Sequence, residues 1–151
     1  MKRTLYVAFV VLTVLMLDQL TKRLIVTNLS LYDSLEVLPF LHIVNVRNTG
    51  AAFGSLKGMG SWFFITVAIV AIAFVINLLI KRMYNTFGLA LVLGGAIGNL
   101  IDRMLYGKVV DFIDVSIGNF HWPAFNVADS ALTIGIILIF AVSFYGAKQC
   151  P

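Results

Sequence analysis

Two short stretches hold the residues best suited to chemistry. "VVDFIDV" (Val109 to Val115) sets Asp111 among Val109, Val110, Phe112 and Ile113, and "FNVADSALTIG" (Phe125 to Gly135) sets Asp129 three positions after Asn126. Two carboxyl groups held close and partly desolvated cannot both ionise easily, so they share a proton. One then takes a proton from water while the other gives one to a leaving group, which is how paired aspartates hydrolyse a peptide bond. Each acid also has a purely local role open to it. The macrodipole favours an acid such as Asp129 in the first turn of a helix, and Asn126 can cap the same end. Asp114, on the same strand as Asp111, reads as a solvent-facing acid.

Other layouts offer less. Ser130 has no base near it in sequence, and the single cysteine, Cys150, is second from the end, so no disulfide framework forms within the chain. His42 and His121 are far apart and lack the i, i+4 spacing of a helix-borne zinc pair, so no metal and no cofactor is expected. The glycines of "LGGAIGNL" (Leu93 to Leu100) lack the Lys-Ser/Thr that completes a phosphate loop. Gly94 and Gly98 read instead as a small-xxx-small pair that lets another helix approach closely.

The elements that must position these acids are set by the solvent. Of 151 residues, 60% are hydrophobic and 12% charged, against about 25% charged in ordinary soluble domains; the mean hydropathy is +0.97. Four long apolar segments stand out: Leu5 to Leu17 continuing past Asp18, Trp62 to Ile80, Phe87 to Ile101, and Ser130 to Ala147. A core of this size has no room for four helices apolar on every side, so they are expected to span a membrane. The opening "MKRTLYVAFVVLTVLML" is like a secretory signal peptide, yet no small-x-small cleavage site follows, and it is expected to stay as the first helix. The net charge of +4 gathers into no patch of the kind nucleic acid needs. The chain is therefore expected to be an all-α polytopic membrane protein, one domain over residues 1–151, with helices at about 4–26, 62–80, 86–104 and 127–147. Segments at about 28–60 and 105–126 lie outside the membrane, where "LHIVNVRNTGAAFGS" and "KVVDFIDV" read as strands, the first with a turn at Asn48-Thr49-Gly50. "LYDSLEVLPF" stays open between strand, short helix and loop.

A helix rises about 1.5 Å per residue through a hydrocarbon layer about 30 Å thick. Asp18 is then reached about 21 Å from Thr4, Asn99 about 18 Å from Phe87, and Asp129 about 27 Å back from Ala147. With N- and C-termini in the cytoplasm, as Lys2, Arg3, Lys81, Arg82 and Lys148 favour, these groups converge near the outer leaflet. Ionisable groups at such depth face a bundle interior, a partner or water. Asp18 and Lys22 are i, i+4 with the acid first, a favourable ion-pair order, and Asn99, Asp102 and Arg103 share a helix face, so scaffolding competes with chemistry here. A proton-conducting transporter would spread acids through the middle and inner half of the membrane, where helices 2 to 4 carry none. A membrane scaffold has least use for Asp111.

In order and spacing, "DQLTK" (Asp18 to Lys22), "VRNTGAAFG" (Val46 to Gly54), "GGAIGNLIDR" (Gly94 to Arg103), "VVDFIDV" and "FNVADSALTIG" resemble the successive motifs of the lipoprotein signal peptidase (signal peptidase II) family. The resemblance runs over nearly the whole chain. It implies a bacterial inner-membrane aspartyl endopeptidase with four transmembrane helices, an extracytoplasmic β-cradle, and an active site at the outer leaflet surface. Its substrates would be prolipoproteins, cut just before a cysteine that already carries diacylglycerol, and its other partners membrane phospholipid and the family's cyclic peptide inhibitors. By motif position Asp111 and Asp129 correspond to the catalytic pair. Asn48, Asn99, Arg103 and Asn126 fall on positions that support the pair or hold substrate, and Asp18 and Lys22 on structural ones.

Overall fold

The computed structural model describes residues 2–50, 60–118 and 120–147. The end of "VRNTGAAFG" (Ala51 to Gly54), Lys148 and Cys150 lie outside the described residues. Among the described residues, four helices are long and apolar enough to cross a membrane: α1 (Lys2–Asn28), α2 (Gly60–Lys81), α3 (Thr86–Tyr106) and α4 (Val127–Ala147). At 21 to 27 residues each, they exceed the length that about 30 Å of hydrocarbon requires. Their outer faces carry large apolar side chains open to the surroundings, such as Phe74 at 62% exposure and Ile137 at 59%, as lipid-facing positions do. The protein is a mostly helical multi-pass membrane protein with a small open antiparallel sheet.

Helix α3 is central and packs against α1, α2 and α4, whereas among the described residues α2 packs on α3 alone. Small residues allow this. A Cβ at Gly95 would collide with the Ala128 carbonyl oxygen and the Leu132 side chain of α4. One at Gly94 would lie 2.9 Å from Val14 Cβ, and one at Gly98 2.8 Å from Asp18 Oδ2, both on α1. The Gly94 and Gly98 pair thus brings α1 against α3, while Gly95, on the next face, brings in α4. Asn85 caps α3 by accepting from Gly88 N–H at 2.8 Å, and Gly107 ends it in the left-handed region at φ +69°. Arg3 Nε donates to Thr86 Oγ1 at 3.2 Å, so α1 and α3 start on the same side of the membrane and run parallel.

The four strands among the described residues, β1 (Ser34–Leu38), β2 (Leu41–Asn48), β3 (Val109–Ile117) and β4 (Phe120–His121), lie in chain segments beyond the opposite ends of these helices, in the order β1-β2-β3-β4. Within "LYDSLEVLPF", Ser34–Leu38 form a fully exposed edge strand joined to β2 by a tight turn at Pro39–Phe40. The hairpin is therefore made before β2; the turn expected at Asn48-Thr49-Gly50 ends the strand, with Gly50 N–H donating to Asn48 Oδ1 at 2.9 Å. Buried Asn45 fastens the sheet to the chain just after α1 by donating from Nδ2 to Leu29 O at 2.7 Å and accepting at its backbone carbonyl from Tyr32 N–H at 2.9 Å.

Overpacking the contact between α3 and α4 is expected to destabilise the fold by about 1–3 kcal/mol. Gly95→Ala in detergent should therefore unfold at a clearly lower temperature than wild type, while Ile137→Ala on the lipid face should unfold near it. Equal thermal midpoints for Gly95→Ala and wild type would contradict the close approach.

Candidate active site

Asp111 and Asp129 reach the same place because the chain between them doubles back. After β3 and the short β4, Phe125 bridges Ile113, with N–H to O distances of 2.8 and 3.0 Å, and a third bond joins Phe112 N–H to Phe125 O at 3.0 Å. The next residue, Asn126, starts α4. Its Oδ1 accepts from Asp129 N–H at 2.9 Å, while Asp129 Oδ2 accepts from Asn126 N–H at 3.3 Å, a reciprocal capping box in which the acid takes part. The capping role available to Asn126 in the sequence is thus occupied, and it leaves the second Asp129 oxygen free for another partner.

Asn126 is fully buried and binds the other acid too, donating from Nδ2 to Asp111 Oδ1 at 2.8 Å. Asn48, at the end of β2, donates to Asp111 Oδ2 at 2.9 Å. Asn99 of α3 donates to Asp129 Oδ1 at 2.7 Å and its own Oδ1 faces Asn126 Nδ2 at 3.2 Å. Every carboxylate oxygen of the two acids thus accepts a hydrogen bond, and three come from carboxamide side chains. Asp111 is 2% exposed. Burial and then the nearby Asp129 carboxylate push its pKa up to about 7, against the hydrogen bonds from Asn48 and Asn126 and the charge of Lys22.

Behind the carboxamides lies a buried ion cluster. Lys22 Nζ is 2.8 Å from Asp18 Oδ2 and 3.1 Å from Asp102 Oδ2, and it donates to Asn99 Oδ1 at 3.1 Å. Gln19 Nε2 lies 3.1 Å from both Asp18 Oδ2 and Asp102 Oδ1. Asp18 Oδ1 accepts from Ala128 N–H at 3.0 Å and Asp102 Oδ2 from Val110 N–H at 3.1 Å, so each fixes the backbone one residue before a candidate acid. Asp102, which the sequence places on one face with Asn99 and Arg103, has the scaffolding place; Gln19 has no role assigned from the sequence. Their signal in the sequence was the place of Gln19 inside "DQLTK" and of Asp102 beside Arg103 on an apolar helix.

Arg103 touches neither acid through a hydrogen bond; its guanidinium lies over Phe64, 5.4 Å from the ring centroid, and donates weakly to Asn99 O at 3.5 Å. It lines a cavity of about 790 Å³ with Asn48, Asn99, Asp129, Trp122 and apolar residues of α2 and α4. Because α2 and α4 make no contact with each other among the described residues, this cavity lies between two helices that only α3 holds together. Asp114 differs from its expectation. Its side chain is 15% exposed and accepts from or pairs with His121 Nδ1 at 2.8 Å, so it is no solvated acid. His42 and His121, distant in sequence, meet at 5.9 Å between ring centroids because the sheet pairs His42 with Asp114 and Ser116 with His121.

Residues 10–145 match the model of the signal peptidase (SPase) II family. A lipoprotein signal peptidase of Thermodesulfovibrio yellowstonii is 50% identical over 125 residues, 83% of this chain and 85% of that one. One of Staphylococcus carnosus is 43% identical over 157 residues, 99% of this chain and 98% of its own. Among solved structures, a bacterial membrane enzyme determined by the in meso method at 2.3 Å resolution superposes with a TM-score of 0.88 at 38% identity, over 97% of this chain and 92% of that one. With a family match over most of its length and close relatives that align nearly end to end, the chain belongs to the signal peptidase II family, the proteases that remove signal peptides from prolipoproteins.

Proposed function

We propose that the protease works by aspartic catalysis, with Asp111 and Asp129 as the pair, on prolipoproteins whose cysteine carries diacylglycerol. The observation that supports this most is the shared carboxamide: Asn126 binds Asp111 through its side chain and Asp129 through both side chain and backbone. It joins an acid from a strand to one from a helix, and Asp129 of the pair lines a largely apolar cavity. The pair keeps one proton between them. The ionised member takes a proton from water as its oxygen attacks the carbonyl carbon before the lipidated cysteine. The protonated member then delivers its proton to the cysteine nitrogen as the C–N bond breaks. Asn48 and Asn99 hold the carboxyl groups in place, and Arg103 lines the wall where substrate backbone would pass.

The cavity's place suits a lipid-bearing substrate. The gap between α2 and α4 lets acyl chains and a signal helix enter from the bilayer, along Val67, Ala68 and Ala71 on one side and Leu132 and Ile134 on the other. We place the sheet and both acids at the outer surface of a bacterial inner membrane, with the α1 start and the α4 end in the cytoplasm, because positive charge favours that side for Lys2, Arg3, Lys81 and Arg82.

Purified protein incubated with a diacylglyceryl-modified prolipoprotein should yield a free signal peptide and a chain beginning with the lipidated cysteine, read by mass analysis. Asp111→Asn and Asp129→Asn should each lower turnover by about 10²–10⁴-fold, and the double variant should be hardly worse. A folded single variant that cleaves near the wild-type rate would exclude the pair.

The raised pKa of Asp111 has its own signature. Between the unfolded carboxylate range and about pH 7 the native state binds more protons than the unfolded state, so this residue's contribution to stability declines as pH rises through that window. Asp111→Asn removes the effect. Its thermal midpoint relative to wild type should therefore increase from pH 4 to pH 8, and a difference independent of pH would show that Asp111 ionises normally.

Sidedness is tested separately. A cysteine at exposed Ile117 should react with a membrane-impermeant thiol reagent added outside intact spheroplasts, and one at exposed Met83 should not. The reverse pattern would invert the protein.

A further inference from the structure

A second cavity, of about 1070 Å³, lies on the other face of the sheet from Asp111, between α1, α3 and β2–β3. Strand alternation explains its lining. Arg47 is paired with Val110 across β2 and β3, while Asn48, one position further along β2, faces Asp111 on the opposite side. Arg47 and Lys108 thus join Arg23 of α1 around this cavity. Arg23 and Lys108 are exposed and Arg47 is half-buried, and among the described residues none of the three side chains makes a hydrogen bond or ion pair. Asp102, at the floor, contributes little attraction for them: Lys22, Gln19 and Val110 N–H already engage its oxygens.

An apolar part of the lining runs down α1 through Leu20, Met16 and Leu15. Arg23 lies twenty-one residues after Lys2, about 32 Å along the axis, so it stands where a hydrocarbon layer of about 30 Å ends. Cations at the membrane boundary above an apolar channel directed into the bilayer match one kind of occupant in both charge and depth. We propose that this cavity is a binding site for an anionic phospholipid, its phosphate held by Arg23, Arg47 and Lys108 and one acyl chain lying along Leu20, Met16 and Leu15. The site is separate from the acids and does not depend on the proteolytic reading or on which membrane face carries the sheet. Its floor includes Asp102, which holds β3 at Val110 N–H, together with its partners Gln19 and Lys22, so a bound lipid should also stabilise the folded protein.

The test uses the full chain in bilayer discs of phosphatidylcholine with and without phosphatidylglycerol. Native mass spectrometry should find phosphatidylglycerol retained in preference to phosphatidylcholine, and the thermal midpoint should rise when phosphatidylglycerol is present. Each cation removed should weaken the preference by about five-fold. The variant Arg23→Gln/Arg47→Gln/Lys108→Gln should therefore lose both effects, while Arg23→Lys/Arg47→Lys, which keeps the charge, should retain them. Equal retention of the two lipids by wild type, or an undiminished preference in the triple variant, would overturn the proposal. Displacement of phosphatidylglycerol by inorganic phosphate would also overturn it, since it would assign the cations to a soluble anion.

Discussion

Lys22 and its two carboxylates are the constraint on which the rest of the site depends. A charge removed from water is tolerated only where it is paired and its other valences are filled, and here that holds throughout. Lys22 is 3% exposed, with Asp18 and Asp102 at 0% and 1%. The cation alone would satisfy one oxygen of each acid. The remaining acceptor capacity is met by Gln19 and by two backbone N–H groups that belong to other elements, Ala128 of α4 and Val110 of β3. Satisfying the ion cluster therefore forces a strand and a helix into register with α1 and α3. Removing Lys22 would leave two buried acids uncompensated, at a cost of about 3–5 kcal/mol, so the arrangement is defined at least as much by the penalty for breaking it as by its net attraction.

The small residues of α3 are the steric counterpart of that cluster. Gly98 lets Asp18 approach, and Gly95 lets the start of α4 lie against α3 where Ala128 can donate to Asp18. A larger residue at either position would separate groups that the electrostatics needs at hydrogen-bonding distance. Packing and charge thus select the same helix positions, and α2, which takes no part in the cluster, is left free to stand apart from α4.

The sequence disclosed those parts of the molecule that rest on local pattern. Four helices follow from long apolar runs, and β3 from a β-branched stretch, because neither depends on what lies elsewhere in the chain. The β1 strand was undecidable because an edge strand exposed along its whole length has no buried face to impose alternation. The meeting of His42 with His121 and Asp114 was invisible for a different reason: it depends on strand register, which brings together residues far apart in number. The pairing of Asp102 with Gln19 and Lys22 is hidden in the same way, although Asp102 itself stands out on its helix. Their partners include Lys22, Asp18 and Val110, and no spacing rule connects α1 to α3 across the intervening α2. Asp111 and Asp129 can be named as candidates from their settings, but local pattern gives the carboxamide that joins them only a capping role, and its support of the pair comes from the family resemblance alone.

That joining role explains why asparagines surround the two acids. A carboxamide donates and accepts without titrating, so Asn48, Asn99 and Asn126 can hold the acids through a change of protonation state without changing their own. Asn99 adds a further property, since it stands between Lys22 and Asp129, accepting from the cation at 3.1 Å and donating to the acid at 2.7 Å. Direct contact with Lys22 would tie Asp129 into a salt bridge as firmly as Asp18 is tied. One interposed carboxamide passes on the cation's polarising effect and leaves Asp129 outside the ion pair. The buried charges are thereby divided between acids neutralised for structure, Asp18 and Asp102, and acids held only by neutral donors, Asp111 and Asp129. Of the second kind, Asp129 lines the cavity between α2 and α4, and Asp111 is joined to it through Asn126.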